Sequence, residues 1–200
     1  MSKNMGKKHN KGKISKRQQA HNKRQGLLEV WTDGSLLDTE GVAGGAAIIC
    51  DSDGKLQRTM SFEFNHLPIP ESDYAELWAA AKTLNALKPG TIGRLTTDCP
   101  SVKSAIMNIR GGKGMSEAYP QNLRDALMAG VAAHPTMAVD KVTRGVGKIP
   151  LADQFAKAAA RADMARIEAV IRSTGNRPHH HEPSPHREDA AHVDHTGGMA

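Results

Sequence analysis

The chain of 200 residues is long enough for one ordinary domain with tails, or for two very small domains. Hydrophobic residues make up 38% of it, without any apolar run near the roughly 20 residues that a membrane span requires. Its basic N-terminus lacks the apolar segment of a secretory signal, and Cys50 and Cys99 form neither a disulfide framework nor a zinc-ligand pattern. These features exclude a membrane protein, a secreted mini-protein and a zinc finger, and we expect a monomer in the reducing cytoplasm.

The net charge of +6 is unevenly distributed along the chain. Residues 1–26 contain nine basic and no acidic residues, residues 27–173 have a net charge of −1, and residues 174–200 have a net charge of −2 with six of the ten histidines. We therefore predict a disordered basic arm over 1–26, a globular domain over 27–173 and a disordered His-rich tail over 174–200. Because a polycation attracts phosphate backbones through counterion release, we expect the arm to bind the nucleic-acid backbone. A merely solubilising arm is the alternative.

Apolar patterning predicts five strands and four helices. Three strands joined by short turns come first and indicate an antiparallel meander, at 27–33, 42–50 and 55–64. The remaining elements are a helix at 71–88, a strand at 94–98, helices at 101–109 and 121–133, a strand at 137–144 and a helix at 150–173. This order favours an α/β fold in which a mixed five-stranded sheet, with three antiparallel strands followed by parallel crossovers, is flanked by helices.

Four acidic residues fall where side chains from different elements can meet. Asp33 is predicted to end the first strand at a turn over 33–35, and Asp98 ends the fourth strand. Glu76 lies one turn into the first helix, and Asp153 lies in the first turn of the last helix. Carboxylates that converge at a sheet edge suit hard divalent cations such as Mg²⁺, and two such ions suit phosphodiester hydrolysis. A capping or turn-forming role is the alternative for each acid alone.

The acids stand in the segments Thr32-Asp33-Gly34-Ser35, Tyr74-Ala75-Glu76-Leu77, Thr97-Asp98-Cys99 and Ala152-Asp153-Gln154-Phe155-Ala156-Lys157. Together these closely resemble the four catalytic motifs of the type 1 ribonuclease H family, over about residues 27–160. The resemblance implies the ribonuclease H-like fold and an endonuclease that hydrolyses the RNA strand of RNA–DNA hybrids. It also implies two Mg²⁺ ions, with Mn²⁺ as a substitute, held by the catalytic carboxylates Asp33, Glu76, Asp98 and Asp153.

The resemblance further implies a set of substrate contacts. Gly34 and Ser35 let the backbone approach nucleic acid, and Ser72 donates to a 2′-hydroxyl group. Many members carry a His in the loop before the fourth carboxylate, whereas this chain has none over 143–148. Arg144 or Lys148 is therefore a candidate contact to phosphate, and a solvated loop cation is the equally weighted alternative.

Other departures from the family concern substrate selectivity more than chemistry. Asp73 stands where the family often has Asn, and its charge would repel a phosphate. The basic, Trp-containing segment of some bacterial members is missing from residues 108–121, and we expect the basic arm to replace it. His66 and His134 lie far from the four motifs and are interpreted as structural.

Two other functions remain open. One is a nuclease of the same fold that acts on another nucleic acid, such as structured DNA or double-stranded RNA. The other is a non-catalytic nucleic-acid-binding module, which the presence of all four acids disfavours.

Overall fold

A computed structural model describes residues 26–37, 42–64, 67, 69–161 and 172–173 of the chain. Their strands and helices are β1 (Leu28–Leu37), β2 (Val42–Cys50), β3 (Leu56–Glu63), α1 (Ser72–Ala86), β4 (Gly93–Thr97), α2 (Pro100–Arg110), α3 (Gln121–Ala133), β5 (Ala138–Lys141) and α4 (Ile149–Ala160). The predicted arm (Gly26 apart), the predicted tail and His66 lie outside the described residues. None of the helices within these ranges has the length and apolarity needed to cross a membrane.

The strands form one mixed sheet in the order β3-β2-β1-β4-β5. The pairs β3–β2 and β2–β1 are antiparallel, and the pairs β1–β4 and β4–β5 are parallel. The antiparallel meander and the later parallel strands were both expected from the element order. The predicted α/β architecture, a mixed five-stranded sheet flanked by helices, is therefore confirmed.

Two apolar layers cover the two faces of the sheet. The larger layer contains core residues of α1, α2 and α3, such as Leu77, Ile106 and Leu127. The smaller layer joins α4 to alternate residues of β2, including Ile48 and Phe155. Because β2 is covered on both faces, its sequence is continuously apolar rather than alternating. Small residues fill both interfaces, so the helices pack close to the sheet although the chain has few aromatic residues.

The first strand departs from its prediction at a position that matters for the site. The prediction that it ends in a turn over 33–35 is wrong, because β1 continues to Leu37. Its pairing with β2 runs without interruption from Glu29 opposite Cys50 to Leu37 opposite Val42. Gly34 lacks the positive φ that a tight turn would use. Asp33 therefore lies in the middle of a strand.

Other element boundaries shift by smaller amounts, each for a local reason. β5 ends at Lys141 instead of residue 144, because its partner β4 offers a pairing residue only as far as Thr97. α1 ends at Ala86 instead of residue 88, since Leu87 is extended and Pro89 disfavours helical backbone in the residue before it. Of the helix predicted over 150–173, residues 162–171 lie outside the described residues.

Candidate functional site

The site lies where β1 loses one of its two neighbouring strands. β4 pairs with β1 only from Leu28 to Trp31, whereas β1 continues for six more residues. The backbone of β1 beyond Trp31 therefore has no partner strand on the β4 side. The start of α1 occupies part of this edge, where the Gly34 N–H donates a 2.9 Å hydrogen bond to Glu76 Oε2. The unpaired edge of β1 thus allows Glu76 of α1 to lie next to Asp33 of β1.

A glycine at position 34 is required for this approach. A Cβ atom added there would lie 2.2 Å from both the Ala75 carbonyl carbon and the Glu76 backbone nitrogen. Distances this short are not tolerated between non-bonded heavy atoms, so any side chain would push α1 away from β1. The Gly in the Asp33-Gly34 pair therefore sets the separation of the two acids.

Three carboxylates meet at this edge. Asp98 directly follows the last residue of β4, and it joins Asp33 from β1 and Glu76 from α1. One carboxylate oxygen from each residue lies within 4.8 Å of the other two. Three acids from three separate elements are thus held at the spacing of a single cation's ligands.

The electrostatics of this acidic cluster are unfavourable without a cation. Burial, together with the charges of Asp153 and Asp98, raises the pKa of Asp33 to about 7. Burial, followed by the charges of Asp33 and Asp98, raises the pKa of Glu76 to about 10. Asp33 is only 3% exposed, so water screens its charge little. The pair formed by the buried Asp33 and the partly buried Glu76 therefore holds a proton at neutral pH unless a positive charge joins it.

Two basic side chains form ion pairs with acids of the site, one with Asp153 and one with Asp98. Lys157 Nζ lies 2.8 Å from Asp153 Oδ2, one helical turn along α4. Arg144 Nε lies 4.0 Å from Asp98 Oδ2, and its side chain is 82% exposed. The lysine pair is therefore close and partly enclosed, whereas the arginine pair is long and solvated. Asp153 lies near enough to influence Asp33 but is not part of the three-carboxylate cluster.

A second polar contact joins the starts of α1 and α2 beside the site. Ser101 Oγ donates a hydrogen bond to Asp73 Oδ2, and the Cys99 thiol lies 3.8 Å from Asp73 Oδ1. Burial raises the pKa of the Cys99 thiol to about 11, so the group stays protonated and can donate to the carboxylate. Asp73 precedes Glu76 by one helical turn, and Cys99 follows Asp98. This contact therefore ties together the segments that carry two of the three clustered acids.

Glu76, Asp98 and Asp153 line an open groove of about 350 Å³, whereas the buried Asp33 is not among its lining residues. Its lining includes most of the residues that the sequence predicts for the site, namely Gly34, Ser35, Ser72, Glu76, Asp98, Arg144 and Asp153. Lys148 is not among the lining residues and instead acts electrostatically on Cys50, at the end of β2. His134 is buried in the core, where its Nε2 lies 2.9 Å from the Leu84 carbonyl oxygen.

Sequence reasoning missed the roles of three residues in or beside this site, namely Lys157, Asp73 and Ser101. Lys157 lines the groove although only Asp153 was selected from its helix, and the four-residue spacing of the two opposite charges was a readable signal. Asp73 was expected to oppose phosphate, but its carboxylate is engaged by Ser101. That contact joins residues 28 positions apart, so no local pattern announces it.

The residues at the cluster fit a divalent cation. Carboxylate oxygens are the donors that Mg²⁺ and Mn²⁺ accept in proteins, and three of them lie within mutual reach here. The raised pKa values of Asp33 and Glu76 show that the negative charge of the cluster is not fully compensated by the protein. A bound cation would supply that compensation.

Solved structures with a similar fold are ribonucleases H. The ribonuclease H1 of the halophilic archaeon Halobacterium salinarum shares 15% sequence identity, with a TM-score of 0.53 over 68% of this chain and 99% of that chain. LC11 ribonuclease H1, a compost metagenome enzyme solved in complex with an RNA/DNA hybrid, shares 16%, with a TM-score of 0.52 over 68% and 99% of the two chains. An N-terminal ribonuclease H domain from Mycobacterium tuberculosis shares 18%, with a TM-score of 0.53 over 74% and 99%.

No protein-family model and no curated protein matches the sequence. The chain nevertheless has the ribonuclease H-like fold, which the sequence motifs predicted.

Proposed function

We propose that this protein is a divalent-metal-dependent endoribonuclease that hydrolyses the RNA strand of RNA–DNA hybrids. The observation that carries the proposal is the cluster of Asp33, Glu76 and Asp98 at the edge of β1, in which Glu76 and Asp98 line a groove that solvent reaches. One structural neighbour binds an RNA/DNA hybrid, which supports this duplex as the substrate.

In this proposal, Asp33, Glu76, Asp98 and Asp153 hold two Mg²⁺ ions, for which Mn²⁺ can substitute. Bound Mg²⁺ would lower the pKa of a water nucleophile and stabilise the leaving oxygen of the phosphodiester. Asp33, whose pKa responds to the charges of both Asp153 and Asp98, would help these residues to hold the ions. The hydrogen bond from the Gly34 N–H fixes one oxygen of Glu76 and thereby orients this carboxylate.

Substrate contacts are proposed along the same groove. Gly34 and Ser35 line it without bulky side chains, so a sugar–phosphate backbone can come close to the acids. Ser72, the first residue of α1, lines the groove and can donate to a 2′-hydroxyl group. Arg144 also lines it, and its exposed guanidinium is free to swing from Asp98 to a phosphate. Lys148 remains a proposed phosphate contact, although it does not line the groove.

The test is cleavage of an end-labelled RNA–DNA hybrid in Mg²⁺, beside double-stranded RNA and double-stranded DNA. We expect cleavage of the hybrid alone, reduced at least about 100-fold by Asp98→Asn, because that change removes a charged ligand of the metal site. Asp125→Asn makes the same change at an exposed position of α3 that does not line the groove, and it should leave activity unchanged.

Each other result assigns a different function. Cleavage of double-stranded RNA or DNA instead of the hybrid would retain the metal site and overturn the proposed substrate. Binding without cleavage in both Mg²⁺ and Mn²⁺ would make the protein a non-catalytic binding module of the same fold.

A further inference from the structure

Lys157 forms the closest ion pair in the described part of the groove. Its ammonium nitrogen lies 2.8 Å from Asp153 Oδ2, and both side chains line the groove. The lysine side chain is 40% exposed and the aspartate side chain 25%, so water surrounds neither group fully. Lys157 has no part in the function proposed above.

The surroundings distinguish this pair from an ordinary surface pair on a helix. Opposite charges four residues apart commonly meet on exposed helices, where they contribute little. Here Asp153 lines a groove together with Asp73, Glu76 and Asp98, and its charge reaches the buried Asp33. A lysine ammonium is therefore paired with Asp153, which stands outside the three-acid cluster.

We propose that Lys157 is a positioning residue that acts as the resident counter-ion of Asp153, so that a cation binds this carboxylate only by displacing the ammonium group. This inference rests on the proposed function, because it concerns the metal ions of that site. The protein then loads cations in a fixed order. The first enters the cluster of Asp33, Glu76 and Asp98, and the second competes with Lys157 for Asp153.

The size of the effect follows from charge and distance. A lysine ammonium about 6 Å from a divalent cation in water-like surroundings weakens the binding of that cation by about tenfold. The first cation is held by three acids that Lys157 does not contact, so its binding should respond much less. The difference between the two binding steps is therefore the signature of this role.

The experiment is a Mn²⁺ titration of the full chain, with free Mn²⁺ followed by electron paramagnetic resonance. In Lys157→Met we expect the second ion to bind about tenfold more tightly, and the first to change by less than about threefold. Lys157→Arg keeps the charge and should bind like the unaltered protein. The matched control is Lys88→Met, which removes an equal charge beyond the far end of α1.

An Asp153→Asn background tests the link between the two residues. There the second ion lacks its carboxylate ligand, so no second binding step should be measurable with or without Lys157→Met. Equal or weaker second-ion binding in Lys157→Met than in Lys88→Met would overturn the inference while leaving the proposed function intact. If no variant and no unaltered protein binds even one Mn²⁺ ion, the metal site of the proposed function fails, and the inference fails with it.

Discussion

Asp33 is a residue at which metal binding and stability oppose each other. Its carboxyl is buried beside Glu76, Asp98 and Asp153, and its pKa is raised to about 7. The metal-free folded protein must either keep a proton on this group or hold several negative charges together. An amide of the same shape would relieve this cost but would bind a cation poorly.

We predict that Asp33→Asn stabilises the metal-free protein at pH 8 by about 2 kcal/mol, because it removes a buried charge from among like charges. The same change should abolish the stabilisation that Mg²⁺ gives to the unaltered protein. Urea unfolding with EDTA and with Mg²⁺ measures both effects. A destabilised Asp33→Asn protein in EDTA would contradict this account of the cluster.

The raised pKa also predicts how stability depends on pH. Since the folded pKa of Asp33 exceeds its unfolded value, the folded protein binds the proton more tightly than the unfolded chain does. The stability that this proton provides is fully present below about pH 4 and is lost as the pH rises to about 7. Glu76 extends the loss to higher pH. In EDTA, melting temperatures should fall over this range, and the fall should be smaller in Asp33→Asn.

Asp73 is expected to hold Glu76 and Asp98 in register. Replacing it with Ala removes the acceptor for Ser101 and Cys99 and should weaken binding of the first Mn²⁺ ion by about tenfold. Asp73→Asn keeps an acceptor oxygen and should stay within about threefold of the unaltered protein. Glu71→Ala removes a charge two residues earlier, where no side-chain cap is formed, and serves as the control. Equal losses in the Ala and Asn variants would show that charge matters here rather than the contact.

At the scale of elements, the packing of α1 against β1 determines whether the site exists. Gly34→Ala should destabilise the protein by more than about 3 kcal/mol, because the added methyl group meets backbone atoms of α1 rather than a movable side chain. Gly111→Ala is the matched control, since Gly111 has a φ of −80° and the nearest atom to its added Cβ would be 3.4 Å away. Urea denaturation of both variants measures the difference. A loss of less than about 1 kcal/mol in Gly34→Ala would mean that α1 shifts without cost.

The order and pairing of these elements were predictable, whereas the end of β1 was not. Apolar periodicity and turn residues indicate which elements form and in what order, and α3 was predicted with its observed bounds. The sequence Asp33-Gly34-Ser35 is typical of turns, and the local signal for a turn was misleading. Gly34 is present because a helix approaches it, and that requirement comes from tertiary packing rather than from the local backbone.

The candidate site, like the fold, was predictable from the sequence only in part. The identities of Asp33, Glu76 and Asp98 follow from motifs, and the structure places them together. The Asp73–Ser101 contact depends on how α1 and α2 meet, which no single segment encodes. Lys148 was selected from its place in a basic loop; it does not line the groove and lies within electrostatic reach of Cys50, and its contact to phosphate stays a prediction.

At the scale of the whole molecule, positive charge is unevenly distributed along the sequence. Residues 27–173 have a net charge of −1, whereas residues 1–26 contain nine basic residues. We predict that deleting residues 2–25 lowers the affinity for hybrid at low salt and flattens its salt dependence by several units of the logarithmic slope, with kcat unchanged. Deleting the tail over 174–200 is the control. Unchanged low-salt affinity after removal of the arm would refute the prediction that the arm binds the nucleic-acid backbone.

The contact between the loop before α4 and β1 supplies this protein with an optical reporter. A Cβ atom added at Gly147 would lie 2.3 Å from Cη2 of Trp31, so the indole ring packs directly beneath the loop that begins at Arg144. The other tryptophan, Trp78, belongs to α1 and is buried in the larger apolar layer. In a Trp78→Phe protein, the fluorescence of the remaining indole would therefore follow the loop and the neighbouring strand as cations or nucleic acid arrive, without any attached dye.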